Sequence, residues 1–289
     1  MRISDQALDH LRAVADWPDL AGTRYEALES VGRGGMGAVY RARDTVLERD
    51  VALKVLDSPR TAPDAAARLR REARVLARLE HPGIVPVHDV GTLPDGRVFY
   101  VMKLVRGERL DAAAARLSID ERVRLFRRVC DAVAFAHDRG VVHRDLKPSN
   151  VMIGPFGEVL VLDWGVARLT GDREPEGGPP AERTPGNSEP GTGAGTVLGT
   201  PGYMAPEQAR GDASSADARA DVYGLGATLH FLLAGAAPGD RPSFPTSLPR
   251  PLRAIGERCL APRPEDRYPA VTALAADLDA FVERRPVSA

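Results

Sequence analysis

The stretch that most limits what this chain can become is HRDLKPSN at 143–150, followed after one apolar run by LDWG at 162–165. Two carboxylates (Asp145, Asp163), an amide (Asn150), a guanidinium (Arg144) and an ammonium (Lys147) crowd onto two short segments that read as loops. Both segments are bracketed by signals for regular structure. Upstream, Ser118 and Glu121 carry a capping-box signature, and Ile119, Val123, Phe126, Cys130, Val133 and His137 then recur at helical spacing as far as Gly140. That pattern predicts a buried amphipathic helix ending just before His143, on which His137 reads as a satisfied core histidine rather than a ligand. Downstream, GEVLVL predicts a strand that delivers Asp163. The two polar segments therefore read as loops held between a helix and strands.

Such an inventory suits phosphoryl transfer. That reaction needs an acceptor for the attacking hydroxyl's proton, oxygen ligands for a metal, and positive charge facing the phosphates. The two segments resemble the catalytic and metal-binding loops of protein kinases, H-R-D-L-x-x-x-N followed by D-F-G. The resemblance implies that Asp145 accepts or orients the hydroxyl proton, that Lys147 faces the γ-phosphate, and that Asn150 and Asp163 ligate Mg2+. Lysine followed by Pro148 is similar to the serine/threonine branch of the family. His143 is expected to pack and hydrogen-bond. Trp164 stands where the family has phenylalanine, and its indole N–H needs a partner if buried.

Earlier in the chain, YEALESVGRGGMGAVYRARD has apolar alternation on both sides of Gly32, Gly34, Gly35 and Gly37, which predicts a β-hairpin with a glycine tip. Glycines let backbone N–H groups approach phosphate oxygens. In a dinucleotide-binding fold the third glycine would open a helix, whereas here it runs into Ala38-Val39-Tyr40, a strand; this favours a kinase phosphate-covering loop. VALKVL follows, with Lys54 at its centre, and a lysine in a buried strand must be paired. The resemblance makes Lys54 the residue that holds the α- and β-phosphates and Glu72, on the next helix, its partner; a solvated Glu72 beside Arg71 and Arg74 is the alternative. By the same resemblance Val31, Val39, Ala52 and Met102 surround the adenine, and the backbone of Lys103 and Val105 bonds its edge.

Residues 170–196 contain 12 Gly or Pro among 27 residues and nothing aliphatic larger than alanine, so they cannot bury enough surface to order themselves. They occupy the place of an activation loop, spanning 163–207 in all. Phosphorylation there is expected to regulate, with Thr192 and Thr196 preferred over Thr184 and Ser188, and Arg144 offering a positive site. A passive insertion is the alternative. GTPGYMAPEQ at 199–208 resembles the segment that positions the acceptor, with Thr200 supporting Asp145 and Lys147, and Glu207 pairing with Arg267. Asp221 opens DVYGLGATLHFLLAG, apolar nearly all round and so a buried helix; the family uses that aspartate to hold the catalytic loop. Residues 235–251, with five prolines in 17, leave too little for the helix and long connection usual there. Two helices, about 251–260 and 270–284, are expected to close the domain.

A net charge of −1 gives no basic field for nucleic acid or an anionic membrane. Cys130 and Cys259 read as buried free thiols in a reducing, cytoplasmic setting. Neither a signal peptide nor a run of about 18 apolar residues is found, so no membrane contact of this chain is expected. Residues 1–24 form a leader, helical from Ser4, that either packs on the small lobe or is a partly ordered end.

Together these features are similar to a bacterial-type (Hanks-type) serine/threonine protein kinase catalytic domain. The fold expected is α+β and bilobal, with a small antiparallel-sheet lobe carrying one main helix (25–105), a larger helical lobe (106–284) and a tail (285–289). ATP and Mg2+ are the cofactors implied, proteins the substrates, and a homodimer a means of trans-autophosphorylation. A nucleotide-binding pseudokinase and a small-molecule phosphotransferase are the rival readings.

Overall fold

The runs on either side of the glycine cluster pair with each other, the glycines allowing the chain to reverse. β1 (Tyr25–Gly34) and β2 (Gly37–Asp44) are antiparallel, with Gly34 opposite Gly37. Along β2 every second residue is buried, whereas β1 beyond Tyr25 is mostly exposed. β3 (Arg49–Val55), β4 (Val87–Thr92) and β5 (Val98–Lys103) complete an antiparallel sheet of order β1-β2-β3-β5-β4. This computed structural model describes residues 17–34, 37–55, 73, 76–164, 168–169, 200–210, 217–239 and 242–289. By contact density the chain divides into one unit of residues 1–80 and 85–106 and another of residues 81–84 and 107–289.

In the first unit the two faces of β5 show the period of two directly. Phe99 and Val101 join Tyr25, Tyr40, Val51 and Leu53 in one cluster, while Val98 and Tyr100 pack with Ala73 on the other face. Trp17 sets its ring edge-on to Tyr40 at 5.4 Å, so the end of the leader that is described packs against this sheet. Its expected helix from Ser4 lies outside the described residues.

The second unit is mainly helical. β6 (Glu108–Arg109) leads into α1 (Leu110–Ala113), and α2 (Ile119–Asp138) carries the expected capping box of Ser118 and Glu121. Val123, Phe126, Cys130 and Val133 are fully buried on α2, but Ile119, in the first turn, is 40% exposed and does not belong to that face. β8 (Val151–Ile153) and β9 (Val159–Val161) form a three-stranded sheet with β6, and β7 (Val141–Val142) pairs with β10 (Arg168–Leu169). At Gly107, with φ of 152°, a Cβ would lie 2.1 Å from the Ile153 carbonyl, so only glycine permits β6 to approach β8 there.

α3 (Pro206–Ala209) is a single turn, and α4 (Ala218–Ala234) buries 12 of its 17 residues, as expected of a helix apolar all round. α5 (Arg250–Cys259) and α6 (Val271–Val282) follow, and both cysteines are buried free thiols. Between α4 and α5 the described residues contain no helix. That connection is fastened instead by His230 of α4, whose ring nitrogens lie 2.9 and 3.0 Å from the Ala236 and Ser243 carbonyls. Phe244 packs edge-on against the same ring and fills the space that Gly256 leaves open.

Candidate active site

α2 ends at Asp138, Gly140 turns the chain with φ of 72°, and after β7 the chain enters the 143–150 loop. Arg144 there has φ of 70°, a region that costs a side-chain-bearing residue roughly 1–2 kcal/mol. Asp221, in the first turn of α4, compensates for that strain. Its Oδ1 accepts the Arg144 amide at 2.7 Å and its Oδ2 the His143 amide at 2.7 Å. Oδ2 also lies 2.7 Å from His137 Nε2, which acts as donor because an ionised carboxylate can only accept. Burial alone would raise the Asp221 carboxyl, but His137 and His143, the latter through its amide as well, hold it below the ordinary value. Close approach of α4 is possible because Gly224 faces Leu146, where a Cβ would stand 3.1 Å from that side chain.

The His143 ring accepts the Asp145 amide at Nδ1 (3.2 Å), so Nε2 carries the proton and donates to the Leu162 carbonyl at 3.0 Å. Trp164, fully buried, packs against that ring at a tilt, 4.6 Å between centres, and finds the partner its indole needs in the Val161 carbonyl, 3.3 Å away. Leu162 in turn donates its amide to the Asn150 carbonyl at 2.8 Å. These bonds tie the segment carrying Asp163, itself at φ of 56°, to the 143–150 loop.

Around Asp145 four donors converge. Oδ1 accepts the Thr200 amide (3.1 Å) and hydroxyl (3.0 Å), and Oδ2 accepts Lys147 Nζ (2.8 Å) and Asn150 Nδ2 (3.3 Å). Thr200 Oγ1 also accepts from Lys147 Nζ at 2.5 Å, so threonine, lysine and aspartate form a closed triangle. Asn150 donates a second time, to the Asp145 carbonyl at 2.9 Å, which turns its own oxygen away from the aspartate. The expected pair of Glu207 and Arg267 also forms.

This architecture agrees with a sequence-family model, the protein kinase domain, which matches residues 25–277. The chain belongs to the protein kinase family. Among curated relatives, this kinase is 33% identical to the serine/threonine-protein kinase PknD of Protochlamydia amoebophila, over 90% of this chain and 30% of that protein. It is 38% identical to PknB of Mycobacterium tuberculosis, over 90% of this chain and 43% of the relative. It thus spans less than half the length of these relatives. The crystal structure of the Mycobacterium tuberculosis PknI kinase domain superposes with a TM-score of 0.68 at 29% identity, covering 91% of this chain and 98% of that one.

In the first unit of this kinase, Lys54 is 8% exposed on β3, opposite Val39 and Tyr100, with Nζ 5.7 Å from the Tyr100 ring centre. Glu72 and Gly35 lie outside the described residues. Gly32, Gly34 and Gly37 stand at the facing ends of β1 and β2, and Ala52 is buried on β3. Val31, at an irregularity in β1, is 56% exposed. Met102 is half-buried on β5, and the Lys103 amide donates to the Pro86 carbonyl at 3.1 Å. Sequence reasoning assigned no role to Gln208, which donates to the Arg144 carbonyl at 3.0 Å. Its place after Ala205-Pro206-Glu207 was visible, but a partner 64 positions away has no local signal.

Proposed function

We propose that this chain transfers the γ-phosphoryl group of ATP to serine and threonine hydroxyls of proteins. The reading is carried by Asp145, whose carboxylate is aimed by Thr200, Lys147 and Asn150. A carboxylate offers about four lone-pair positions, and here all four are occupied. For a substrate hydroxyl to donate to Asp145, one occupant must leave. Lys147 is the one suited to do so, because its flexible ammonium is drawn to phosphate and can swing toward the γ-phosphate as it releases Oδ2. Asp145 then receives the hydroxyl proton while the hydroxyl oxygen bonds to phosphorus and the bond to the bridging oxygen breaks.

The donor set fits a hard cation. Asn150 presents its amide oxygen and Asp163 a carboxylate, and among the described residues no cluster of three His, Cys, Asp or Glu could hold a metal alone. Mg2+ has this habit, taking one or two protein oxygens and completing its shell with phosphates and water. When bound it would neutralise charge that builds on the phosphates. Lys54, paired with Glu72, would steer the α- and β-phosphates, the glycines Gly32, Gly34, Gly35 and Gly37 would cover them, and Val31, Val39, Ala52, Met102 and the backbone of Lys103 and Val105 would receive the adenine. Thr192 and Thr196, outside the described residues, are the preferred sites of autophosphorylation, for which a transient homodimer is the simplest route. The unpaired thiols favour a reducing, cytoplasmic setting. No helix of the described residues is long and apolar enough to cross a membrane.

Incubation with labelled ATP, Mg2+ and a generic basic protein tests the reading. Label on serine and threonine, lost in Asp145→Asn and on chelation with EDTA, is the expected result. Nucleotide binding without transfer would point to a pseudokinase, and labelled metabolites without labelled protein to a small-molecule enzyme.

A further inference from the structure

We infer that Gln208 is a positioning residue for Asp145, acting through the strained backbone of Arg144; this rests on the phosphotransfer reading. Its Nε2 donates to the Arg144 carbonyl at 3.0 Å while its Oε1 accepts the Ala205 amide at 3.0 Å. The opposite rotamer of the amide would set oxygen against oxygen and N–H against N–H, so the orientation is fixed by its partners. The peptide unit joining Arg144 to Asp145 is thereby anchored at both ends, the carbonyl by Gln208 and the amide by the His143 ring at 3.2 Å. The preceding amide, that of Arg144, is anchored by Asp221 at 2.7 Å.

Of these three anchors only Gln208 comes from the 200–209 segment. Asp221 lies on α4 and His143 within the loop itself, whereas Gln208 follows Glu207, which Arg267 bolts in place. The same segment reaches the Asp145 carboxylate through Thr200. It therefore grips the catalytic aspartate twice, at the side chain and at the backbone, and Gln208 makes the left-handed turn at Arg144 depend on the segment being seated.

Gln208→Met keeps the length and removes the donor, and Gln208→Glu keeps the acceptor and removes the donor until its carboxyl is protonated. With protein substrate we expect kcat of Gln208→Met to fall about ten-fold, the scale of one hydrogen bond, with KM for ATP and acceptor within about two-fold. Gln208→Glu should be equally slow near pH 7.5, and its kcat relative to wild type should climb as pH falls and the carboxyl regains a proton to donate. An unchanged kcat in Gln208→Met, a loss expressed in KM, or a flat ratio in Gln208→Glu overturns the inference. Should Gln208→Met fail to fold, the pH ratio of Gln208→Glu decides alone. A wild type that transfers no phosphate defeats the underlying reading as well, a result distinguishable from an active wild type with an equally active variant.

Discussion

Glu207 and Arg267, 60 residues apart, meet in a buried two-point pair at 2.6 and 2.9 Å. The rest of the guanidinium is engaged as well: Nε donates to the Ala261 carbonyl at 2.8 Å, Nη1 to that of Arg219 at 3.0 Å and Nη2 to that of Pro262 at 3.1 Å. All five N–H donors are satisfied, which is what allows an arginine to be 2% exposed. Burial pushes the Glu207 carboxyl up, but Arg267 outweighs it and holds the group below its ordinary value.

Removing one partner leaves the other charged and buried. Arg267→Met is expected to lower stability by about 3–5 kcal/mol in urea unfolding. The double variant Glu207→Met with Arg267→Met should lose less than the sum of the two single variants, because no lone carboxylate remains. It should not regain wild-type stability, since three carbonyls still lack their donor. Strict additivity of the two losses would show that the pair does not couple.

Acid stability follows from the same kind of group. Asp221 and Glu207 both have folded values below the ordinary carboxylate values of about 3.9 and 4.3, which serve for the unfolded chain. Their contribution is therefore full above that range and is lost as pH falls through the depressed folded values, when the unfolded chain binds protons first. Asp221→Asn should already be about 3 kcal/mol or more less stable at pH 7, because an amide group would face the backbone donors. Between pH 5 and pH 3 its stability should then decline less steeply than wild type. Parallel curves for the two proteins would remove Asp221 from the account.

Much of this was legible in order along the chain. The helical period from Ser118 to Gly140 and the apolar helix after Asp221 translate into elements because each is a local pattern with buried positions, and the alternation around the glycines translates into two strands of which β2 alone alternates into the core. Contacts made at a distance were legible only where a family pattern supplied them, as for Glu207 with Arg267. His137 read as a satisfied core residue, yet nothing local names Asp221 as what satisfies it. Ile119 keeps the helical spacing but falls in the first turn, past the edge of the packed face. The short connection after α4 read as a missing element; what fastens it, His230 and Phe244, depends on backbone carbonyls that no side-chain pattern reports.

Trp164 fills the place of a phenylalanine with a larger ring whose N–H is satisfied by Val161. Trp164→Phe loses that bond and some packing against His143, at a cost of about 1–2 kcal/mol. On the proposed reading the neighbouring aspartate would hold the metal, so turnover should change little, while the panel of nucleotide-competitive inhibitors that bind well should change more. Competition assays beside steady-state rates check this, and a collapse of turnover with unaltered inhibitor preference would contradict it.

Thr200 is the residue through which Lys147 and Asp145 are held together, its hydroxyl accepting from the ammonium at 2.5 Å and donating to the carboxylate at 3.0 Å. Thr200→Val preserves shape and the backbone amide bond to Asp145 but removes both hydroxyl contacts. Without the hydroxyl, Lys147 loses one of its two anchors and Asp145 one of its four donors, so both are less well aimed when a substrate arrives. A fall in kcat of about 10- to 100-fold is expected, one to two hydrogen bonds' worth of misplacement. Thr200→Ser retains the oxygen and should stay within a few-fold of wild type. A serine variant as slow as the valine variant would show that the methyl group, and hence packing, is what the position requires.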